Sequence, residues 1–282
     1  MSDWFEETVD PRLRLRLEIL ETLHEERHGL QRLVLFRSPL FGRVLALDGA
    51  IQTTEGDEFI YHEILAHVPV LAHGAVRRAL IVGGGDGGMA EELLKHRTVE
   101  HVTLVEIDPA VIDFSRTHLR AICGDAFDDP RLAVEIADGA AFVADSRENF
   151  DLIIVDSTDP EGPGEVLFSE AFYRNCRDRL APGGVLATQA GVPFTHPQTL
   201  RRTGAAHRAL FADASCFLAA VPSYSGGAMA FGWASDDPAL RQTPVETLSE
   251  RFAAAGLATR YYTPEVHRAA FALPPYVSEL LA

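Results

Sequence analysis

The stretch Ala79–His96, ALIVGGGDGGMAEELLKH, decides the fold, because an apolar run enters a cluster of glycines and a helical pattern leaves it. Gly83, Gly85 and Gly88 fit the spacing GxGxxG. This spacing is weak evidence alone, but between a strand and a helix it is typical of a turn where a ligand approaches the backbone. It predicts a nucleoside site at the end of this strand. The alternative is a tight turn that needs glycine only for its backbone angles.

Further short apolar runs follow and alternate with helical patterns, which predicts an α/β fold with a parallel, doubly wound sheet. The predicted strands are 79–83, 101–107, 131–136, 150–155 and 184–190, and the predicted helices are 88–96, 109–120, 139–146, 168–180 and 197–210. The tail, with AMAFGWAS at 228–235, is expected to add edge strands and a closing segment.

The first sixty residues differ in style from the rest. The segment 30–57 is rich in β-branched and aromatic residues, and Asp48-Gly49 within it is a strong hairpin signal. An amphipathic helix is predicted over 58–73. We therefore expect a small antiparallel β domain over 1–56 and a catalytic domain over 57–282.

Composition narrows the class of protein. The 282 residues are 47% hydrophobic and carry a formal net charge of −16, which repels nucleic acid and anionic lipid and attracts cations. A cationic small substrate fits this charge, although solubility alone would also explain it. The acidic start, the lack of an 18-residue apolar run and three scattered cysteines predict a cytoplasmic protein that binds no membrane.

Asp86 lies inside the glycine loop, where a dinucleotide would place its pyrophosphate. Two like charges about 4 Å apart cost roughly 4 kcal/mol at an effective dielectric near 20, which argues against NAD or FAD. A sulfonium nucleoside that ends in an ammonium reverses the sign of this interaction. Glu106 ends the next strand, where such folds bind a ribose. Asp138 follows the third strand and fits an N-cap, a contact to an adenine amino group, or both.

The fourth strand runs into FDLIIVDSTDPEGPGE, with carboxylates at Asp156, Asp159 and Glu161. A diamine between them is the best fit; a solvated acidic turn or a Mg²⁺ site are the alternatives. Asp156 could accept the proton of an attacking amine. Because an ordinary aspartate is a weak base for this task, Tyr61, Tyr224 or a water could relay the proton, unless either tyrosine only packs in the core.

Five ordered motifs together resemble the polyamine aminopropyltransferases, above all bacterial spermidine synthases. They are LDGAIQTTEGDEFIYHE, GGGDGG, VEID, ADGAAF and DSTDPEGPGE, and the match runs from about Trp4 to Tyr276. The resemblance implies a Rossmann-like, methyltransferase-type domain after the β domain. It implies transfer of an aminopropyl group from decarboxylated S-adenosylmethionine to putrescine, which gives spermidine and 5'-methylthioadenosine. It also implies a homodimer or homotetramer without metal or permanently bound cofactor.

The resemblance also assigns roles to single residues. Asp156 is the implied proton acceptor. The implied nucleoside-binding residues are Gln31, Gly83, Gly85, Glu106, Asp138, Gly139 and Pro163, and the implied polyamine-binding residues are Gln52, His62, Asp86, Asp156, Asp159 and Tyr224. His62 and His67 are five residues apart, so they do not form the HExxH pattern of zinc sites; by pattern alone His62 could equally be an ordinary helix residue.

Two positions depart from the family pattern. Gly56 stands where relatives often carry arginine, and Glu161 stands where they usually carry an apolar residue. The extra carboxylate would favour a longer or more highly charged amine, or would face solvent. The competing hypotheses are an S-adenosylmethionine-dependent methyltransferase on the same fold and a binding module without turnover. Asp86 disfavours the first of these, because intact S-adenosylmethionine carries a carboxylate.

Overall fold

The N-terminal part of the chain is an antiparallel β structure, as the sequence predicts. The computed structural model describes residues 3–28, 31–160 and 162–282, and only the backbone of residues 28, 31 and 163. A hairpin pairs β1 (Asp3–Asp10) with β2 (Leu13–Ile19). A four-stranded sheet follows, in the order β3 (Glu21–His28), β4 (Gln31–Ser38), β5 (Gly42–Leu47) and β6 (Ala50–Thr54).

The turn between β5 and β6 is the predicted Asp-Gly hairpin. Asp48 and Gly49 both have positive φ angles, 50° and 87°, which an Asp-Gly pair adopts readily. The turn brings Ala50 opposite Leu47 and sets the register of β6. β6 ends at Thr54 and the first helix begins at Glu58, so the predicted domain boundary lies in this connection; the division into two domains stays a prediction.

The second part is built on a seven-stranded mixed sheet in the order β12-β13-β11-β10-β7-β8-β9. Its strands are β7 (Arg78–Gly83), β8 (His101–Glu106), β9 (Leu132–Ile136), β10 (Phe150–Asp156), β11 (Leu180–Gln189), β12 (Asp213–Ala219) and β13 (Met229–Ser235). The first five are parallel and match the five predicted strands. β13 pairs antiparallel with β11, and β12, which the sequence reading missed, forms the edge.

Helices cover both faces of this sheet. They are α1 (Glu58–His73), α2 (Gly88–Leu94), α3 (Pro109–His118), α4 (Arg120–Cys123), α5 (Gly139–Asp145), α6 (Glu170–Arg179), α7 (Pro197–Leu210), α8 (Val245–Ala255), α9 (Pro264–Ala270) and α10 (Pro275–Ser278). Along β7, Ala79 and Ile81 join the core under α1 and α2, whereas Leu80 and Val82 join the opposite core under α5 and α6. β7 is therefore apolar on both faces, which explains its unbroken apolar run. Across the described ranges, none of the helices is both long and apolar enough to cross a membrane.

The sheet order fixes where a ligand can bind. The chain steps outward in one direction through β7, β8 and β9, and in the other through β10 and β11. The crevice of such a sheet opens at the carboxyl ends of the strands, where this order reverses. Here that point lies between Gly83 and Asp156, which are paired in the register of β7 and β10.

Several histidines are buried without charge. Burial lowers the pKa of His67, His96, His207 and His267 to about 3. His207, on α7, is fully buried, and neither of its ring nitrogens has a hydrogen-bond partner among the residues that the structure describes. These side chains take up protons only when the protein unfolds.

We therefore predict a stability that falls as the pH drops below 6.5. Each such histidine has a folded pKa below its unfolded value of 6.5, so it removes about 1.4 kcal/mol per pH unit from the free energy of unfolding. His207→Leu should reduce the slope of that free energy between pH 6.5 and 5 by this amount in urea titrations. Leu200→Ala, at a buried position on the same helix, removes no titratable group; it is the control and should lower the stability but keep the wild-type slope. An unchanged slope in His207→Leu would contradict a neutral buried His207.

Candidate active site

The loop after β7 needs its glycines because another backbone lies against it. The Gly84 N–H donates a hydrogen bond of 2.8 Å to the carbonyl oxygen of Asp156. Gly83 has a φ of +85°, and a Cβ there would lie only 2.2 Å from the same carbonyl oxygen. A Cβ at Gly85 would lie 2.7 Å from Glu106 Oε2. The glycines thus let three strand ends, with their carboxylates, meet at one point.

Asp86 follows these glycines and turns back over the start of α2. Its Oδ1 accepts a hydrogen bond of 3.0 Å from the Gly88 N–H, and its Oδ2 lies 3.5 Å from His62 Nε2. α1 approaches closely here, because a Cβ at Gly88 would lie 2.3 Å from the His62 ring. Gly88 is therefore required for packing, and His62 lies against both the glycine loop and Asp86.

His62 is held between two carboxylates. Its Nδ1 lies 2.8 Å from Glu58 Oε2, one helical turn earlier, and its Nε2 faces Asp86. Burial opposes the charged ring, but Asp86, Glu58 and Asp156 outweigh it and raise the pKa of His62 to about 10. His62 is thus a cation at neutral pH. Glu58 was not singled out in the sequence, although its i, i+4 spacing to His62 is a readable signal.

Asp156 ends β10 beside this pair. The Tyr61 hydroxyl donates a hydrogen bond of 2.7 Å to its Oδ1, which places Tyr61 next to the predicted proton acceptor. Burial and the charge of Asp86 raise the pKa of Asp156 to about 6, against the opposing effects of His62 and Tyr61. Asp156 is therefore mostly ionised at neutral pH, yet it is a stronger base than an ordinary aspartate.

One potential ligand atom from each of His62, Asp86 and Asp156 lies within 4.8 Å of the others, a spacing that could hold a metal ion. A metal would have to displace the proton from the His62 ring, because the Nε2 lone pair is not free in the imidazolium form. A cationic amine needs no such displacement and can donate its N–H groups to the carboxylates. The cluster therefore fits an organic cation better than a metal.

The predicted nucleoside side of the site lies along β8 and β9. Glu106 ends β8, and burial raises the pKa of its carboxyl, against hydrogen bonds from backbone N–H groups that include Asp108. Asp138 caps α5: its Oδ1 accepts from the N–H groups of Ala140 and Ala141 at 2.8 and 3.1 Å. The residue is exposed, and both bonds end on one oxygen, so capping leaves Oδ2 for a ligand. Gly139 lets α5 pack on β7, since a Cβ there would lie 2.5 Å from Val82.

The predicted amine side lies between the loop after β10 and the N-terminal β structure. The Tyr224 hydroxyl donates a hydrogen bond of 2.6 Å to the Gln52 carbonyl oxygen, so these two residues meet through a backbone atom of Gln52. Asp159 is exposed, and after the larger effect of burial its charge is one, among those of the described residues, that raises the pKa of Glu7. Burial and the charges of Asp156 and Asp86 raise the pKa of Tyr224, with a smaller effect of Asp159. Burial and Asp159 together bring the pKa of Glu7 to about 7, although the Ile51 N–H donates to it. Glu7, on β1, is a carboxylate of this region that the sequence reading missed.

Three of the predicted positions lie wholly or partly outside the described residues. The side chains of Gln31 and Pro163, and the whole of Glu161, lie outside the described residues. Gly56, the other departure from the family pattern, donates its N–H to the Phe41 carbonyl oxygen at 2.9 Å, and a Cβ there would lie 2.9 Å from Phe41 Cα. A larger residue at 56 would have to displace the turn between β4 and β5.

Fold and site together define an α/β protein whose cleft, at the point where the strand order reverses, is lined by carboxylates. Residues 58–244 match the family model of the spermine/spermidine synthase domain, and residues 3–55 match that of the spermidine synthase tetramerisation domain. The chain belongs to this family, so it is an aminopropyltransferase, and the predicted resemblance is confirmed.

Relatives along the whole chain agree with this assignment. Polyamine aminopropyltransferase 1 of Pseudomonas aeruginosa is 54% identical over 281 residues, which cover 100% of this chain and 98% of the relative. The polyamine aminopropyltransferase of Ruegeria sp. is 53% identical over 277 residues, 98% of each chain. A crystal structure of a spermidine synthase in complex with the transition-state analogue AdoDATO has a TM-score of 0.93 and 36% identity, and the match covers 99% of this chain and 94% of that one.

The charges of the site predict a pH dependence. Protonated Asp156 cannot accept a proton, so kcat/KM for the amine should fall as the pH drops below about 6. Asp86→Asn removes a charge that raises this pKa, so the acid limb of the profile should move to lower pH even though the maximal rate falls. Asp113→Asn, at an exposed position on α3, should keep the wild-type limb. A limb that stays in place in Asp86→Asn would show that Asp156 does not govern it.

Proposed function

We propose that this enzyme transfers the aminopropyl group of decarboxylated S-adenosylmethionine to putrescine, giving spermidine and 5'-methylthioadenosine. The observation that carries the proposal is the cluster of Asp86 and Asp156 around His62, at the carboxyl ends of β7 and β10. Both substrates are cations at neutral pH, and the ring of carboxylates attracts them. No phosphate group is part of either substrate, which agrees with Asp86 in the glycine loop.

The donor nucleoside is proposed to lie over β8 and β9. The Glu106 carboxylate would accept hydrogen bonds from the two ribose hydroxyls, and Asp138 Oδ2 would accept one from the adenine amino group. Gly83, Gly85 and Gly139 allow the backbone to approach, and Gln31 and Pro163 complete the proposed contacts. Ile107 supports the placement: it is apolar yet 55% exposed beside Glu106, where an adenine ring would cover it.

The acceptor amine is proposed to lie between the β10 loop and the N-terminal strands. Its attacking nitrogen would face Asp156, and its other end would lie toward Asp159, Gln52 and Tyr224. Because the charge of Asp159 acts on Glu7 of β1, the diamine is proposed to extend toward this strand. The His62–Asp86 pair would hold the aminopropyl side of the donor through Asp86.

The reaction is a displacement at carbon. Asp156 accepts one proton from the ammonium of the acceptor, and because burial and Asp86 raise the pKa of Asp156 to about 6, this proton transfer is less uphill than to an ordinary aspartate. The neutral amine nitrogen then attacks the methylene carbon bound to sulfur; a C–N bond forms, the C–S bond breaks, and its electron pair goes to sulfur to give a neutral thioether. The new secondary ammonium keeps the positive charge. Tyr61, whose hydroxyl donates a hydrogen bond to Asp156 Oδ1, orients the carboxylate that accepts the proton.

The assembly is proposed to be a homodimer or homotetramer formed through the N-terminal β structure, since residues 3–55 match a tetramerisation domain. We also propose that the enzyme acts in the cytoplasm. Its three cysteines, Cys123, Cys176 and Cys216, are all buried and free, which is typical of reducing compartments.

The proposal predicts spermidine and methylthioadenosine when purified enzyme is given decarboxylated S-adenosylmethionine and putrescine. A panel of longer diamines and of spermidine, read by mass spectrometry, measures acceptor preference. A higher kcat/KM for a longer amine would replace putrescine as the proposed acceptor but would leave the proposed aminopropyl transfer unchanged. Methylated products from intact S-adenosylmethionine, with no product from the decarboxylated form, would overturn the reaction itself.

Asp156→Asn should lose a factor of about 10² to 10⁴ in kcat, because the amide cannot accept the amine proton. Its affinity for methylthioadenosine, measured by calorimetry, should change less than threefold. Its melting temperature should rise, since the substitution removes a buried carboxylate whose raised pKa marks an unfavourable environment. Asp113→Asn, which makes the same change from carboxylate to amide at an exposed position, is the matched control. Full activity of Asp156→Asn would remove Asp156 from the role of proton acceptor.

A further inference from the structure

Asp57 occupies the N-cap position of α1 but does not cap the helix. An aspartate at this position normally accepts a hydrogen bond from an N–H of the first turn. Here Oδ2 accepts from the Ser223 N–H at 2.6 Å, and Oδ1 accepts from the hydroxyls of Thr54 and Ser223 at 2.6 and 3.2 Å. The side chain is 4% exposed, so both oxygens are committed to the protein interior. The carboxylate therefore joins β6 to the segment before β13.

The segment held by Asp57 carries one wall of the proposed amine site. Tyr224 follows Ser223, and its N–H donates to the Val221 carbonyl oxygen at 3.0 Å in a turn. Its hydroxyl reaches the Gln52 carbonyl oxygen, and its ring meets the edge of Tyr61 with centroids 5.9 Å apart. Tyr61 in turn donates to Asp156. A continuous set of contacts thus runs from Asp57 to the proton acceptor.

This segment needs such an anchor. Between Val221 and Met229 it has no helix or strand, and it contains Gly226 and Gly227, whose φ angles of 116° and 133° are rare for other residues. Glycine, which has no Cβ, leaves the backbone more conformations than other residues do. The N-terminus of α1 offsets part of the cost of burying the Asp57 charge, because its dipole favours an anion. A hydrogen-bonded carboxylate also fixes the orientation of the backbone at Ser223, which an apolar contact would not do.

We propose that Asp57 is a positioning residue of the amine site, which sets the place of Tyr224 and, through Tyr61, the orientation of Asp156. This rests on the proposed function, because it assigns Tyr224 to the wall that the acceptor amine contacts. Asp57 itself touches no substrate.

A double-mutant cycle tests the proposal. Asp57→Asn has one acceptor oxygen where the carboxylate has two, so it loses at least one of the three hydrogen bonds that Asp57 accepts. The KM for the amine should therefore rise about tenfold while the KM for the donor stays within twofold. Tyr224→Ala should raise the amine KM as well, and Asp57→Asn should add less than twofold to it. If the double variant raised the amine KM by the product of the two single effects, Asp57 would act independently of Tyr224, and the proposal would be overturned. An equal rise in the amine KM and the donor KM of Asp57→Asn would overturn it as well.

Hydrogen exchange of the free enzyme supplies a readout that does not depend on activity. Asp57→Asn should speed exchange of the Ser223 and Tyr224 amides at least tenfold and leave the β7 amides unchanged. Ser223→Ala, which keeps its N–H, should give a smaller effect of the same kind and serves if Asp57→Asn does not fold. Ser169→Ala, which removes the cap of α6, is the control and should change neither the loop amides nor the amine KM. Unchanged loop exchange in both test variants would overturn the proposal, whereas an absence of aminopropyl transfer by the wild type would overturn only the proposed function.

Discussion

The close approach of two strand ends is the constraint on which the site depends. β7 and β10 are neighbours in the sheet, and the Gly84 N–H reaches the Asp156 carbonyl oxygen at 2.8 Å. A Cβ at Gly83 would lie 2.2 Å from that oxygen, so only glycine allows the contact. Because the backbones touch, the side chains that follow them share one small volume. Asp86 and Asp156 are brought together by main-chain packing rather than by mutual attraction, which their charges would oppose.

His62 makes this crowding of acids tolerable. Like charges in a poorly hydrated site repel one another, and the ordinary response is for one carboxyl to take up a proton. Here the buried imidazolium supplies a positive charge between Glu58 and Asp86. The two carboxylates stabilise that charge, which is why the pKa of His62 is raised. Asp156 receives less of this compensation, and its pKa stays raised. Asp156 is therefore stabilised when a cation or a proton arrives.

The sequence predicted most of this frame, because the frame rests on local patterns. Unbroken apolar runs gave the five parallel strands, and Asp48-Gly49 gave a hairpin whose φ angles are those expected. β12 was missed although the predicted helix over 197–210 leads into it, because Asp213 and Ser215 interrupt the apolar pattern of its sequence, DASCFLA. In the site, Asp86 could be found because it lies in the glycine loop, and Asp156 because it ends an apolar run. Glu7 could not, because its position beside the site results from folding of the β1–β2 hairpin. Asp57 has the pattern of a helix cap, and only the structure shows that its hydrogen bonds go elsewhere.

The charge of the cluster also bears on how two cationic substrates can bind together. Glu58, Asp86 and Asp156 against protonated His62 leave an excess of about two negative charges when Asp156 is ionised. Two cations alone in a pocket would repel each other by about 4 kcal/mol at 4 Å and an effective dielectric near 20. The excess negative charge offsets this repulsion before the substrates arrive. In the proposed reaction the sulfonium becomes a neutral thioether and Asp156 takes up a proton, so the attraction for the nucleoside product weakens. The electrostatics that gather the substrates would thus favour the release of that product.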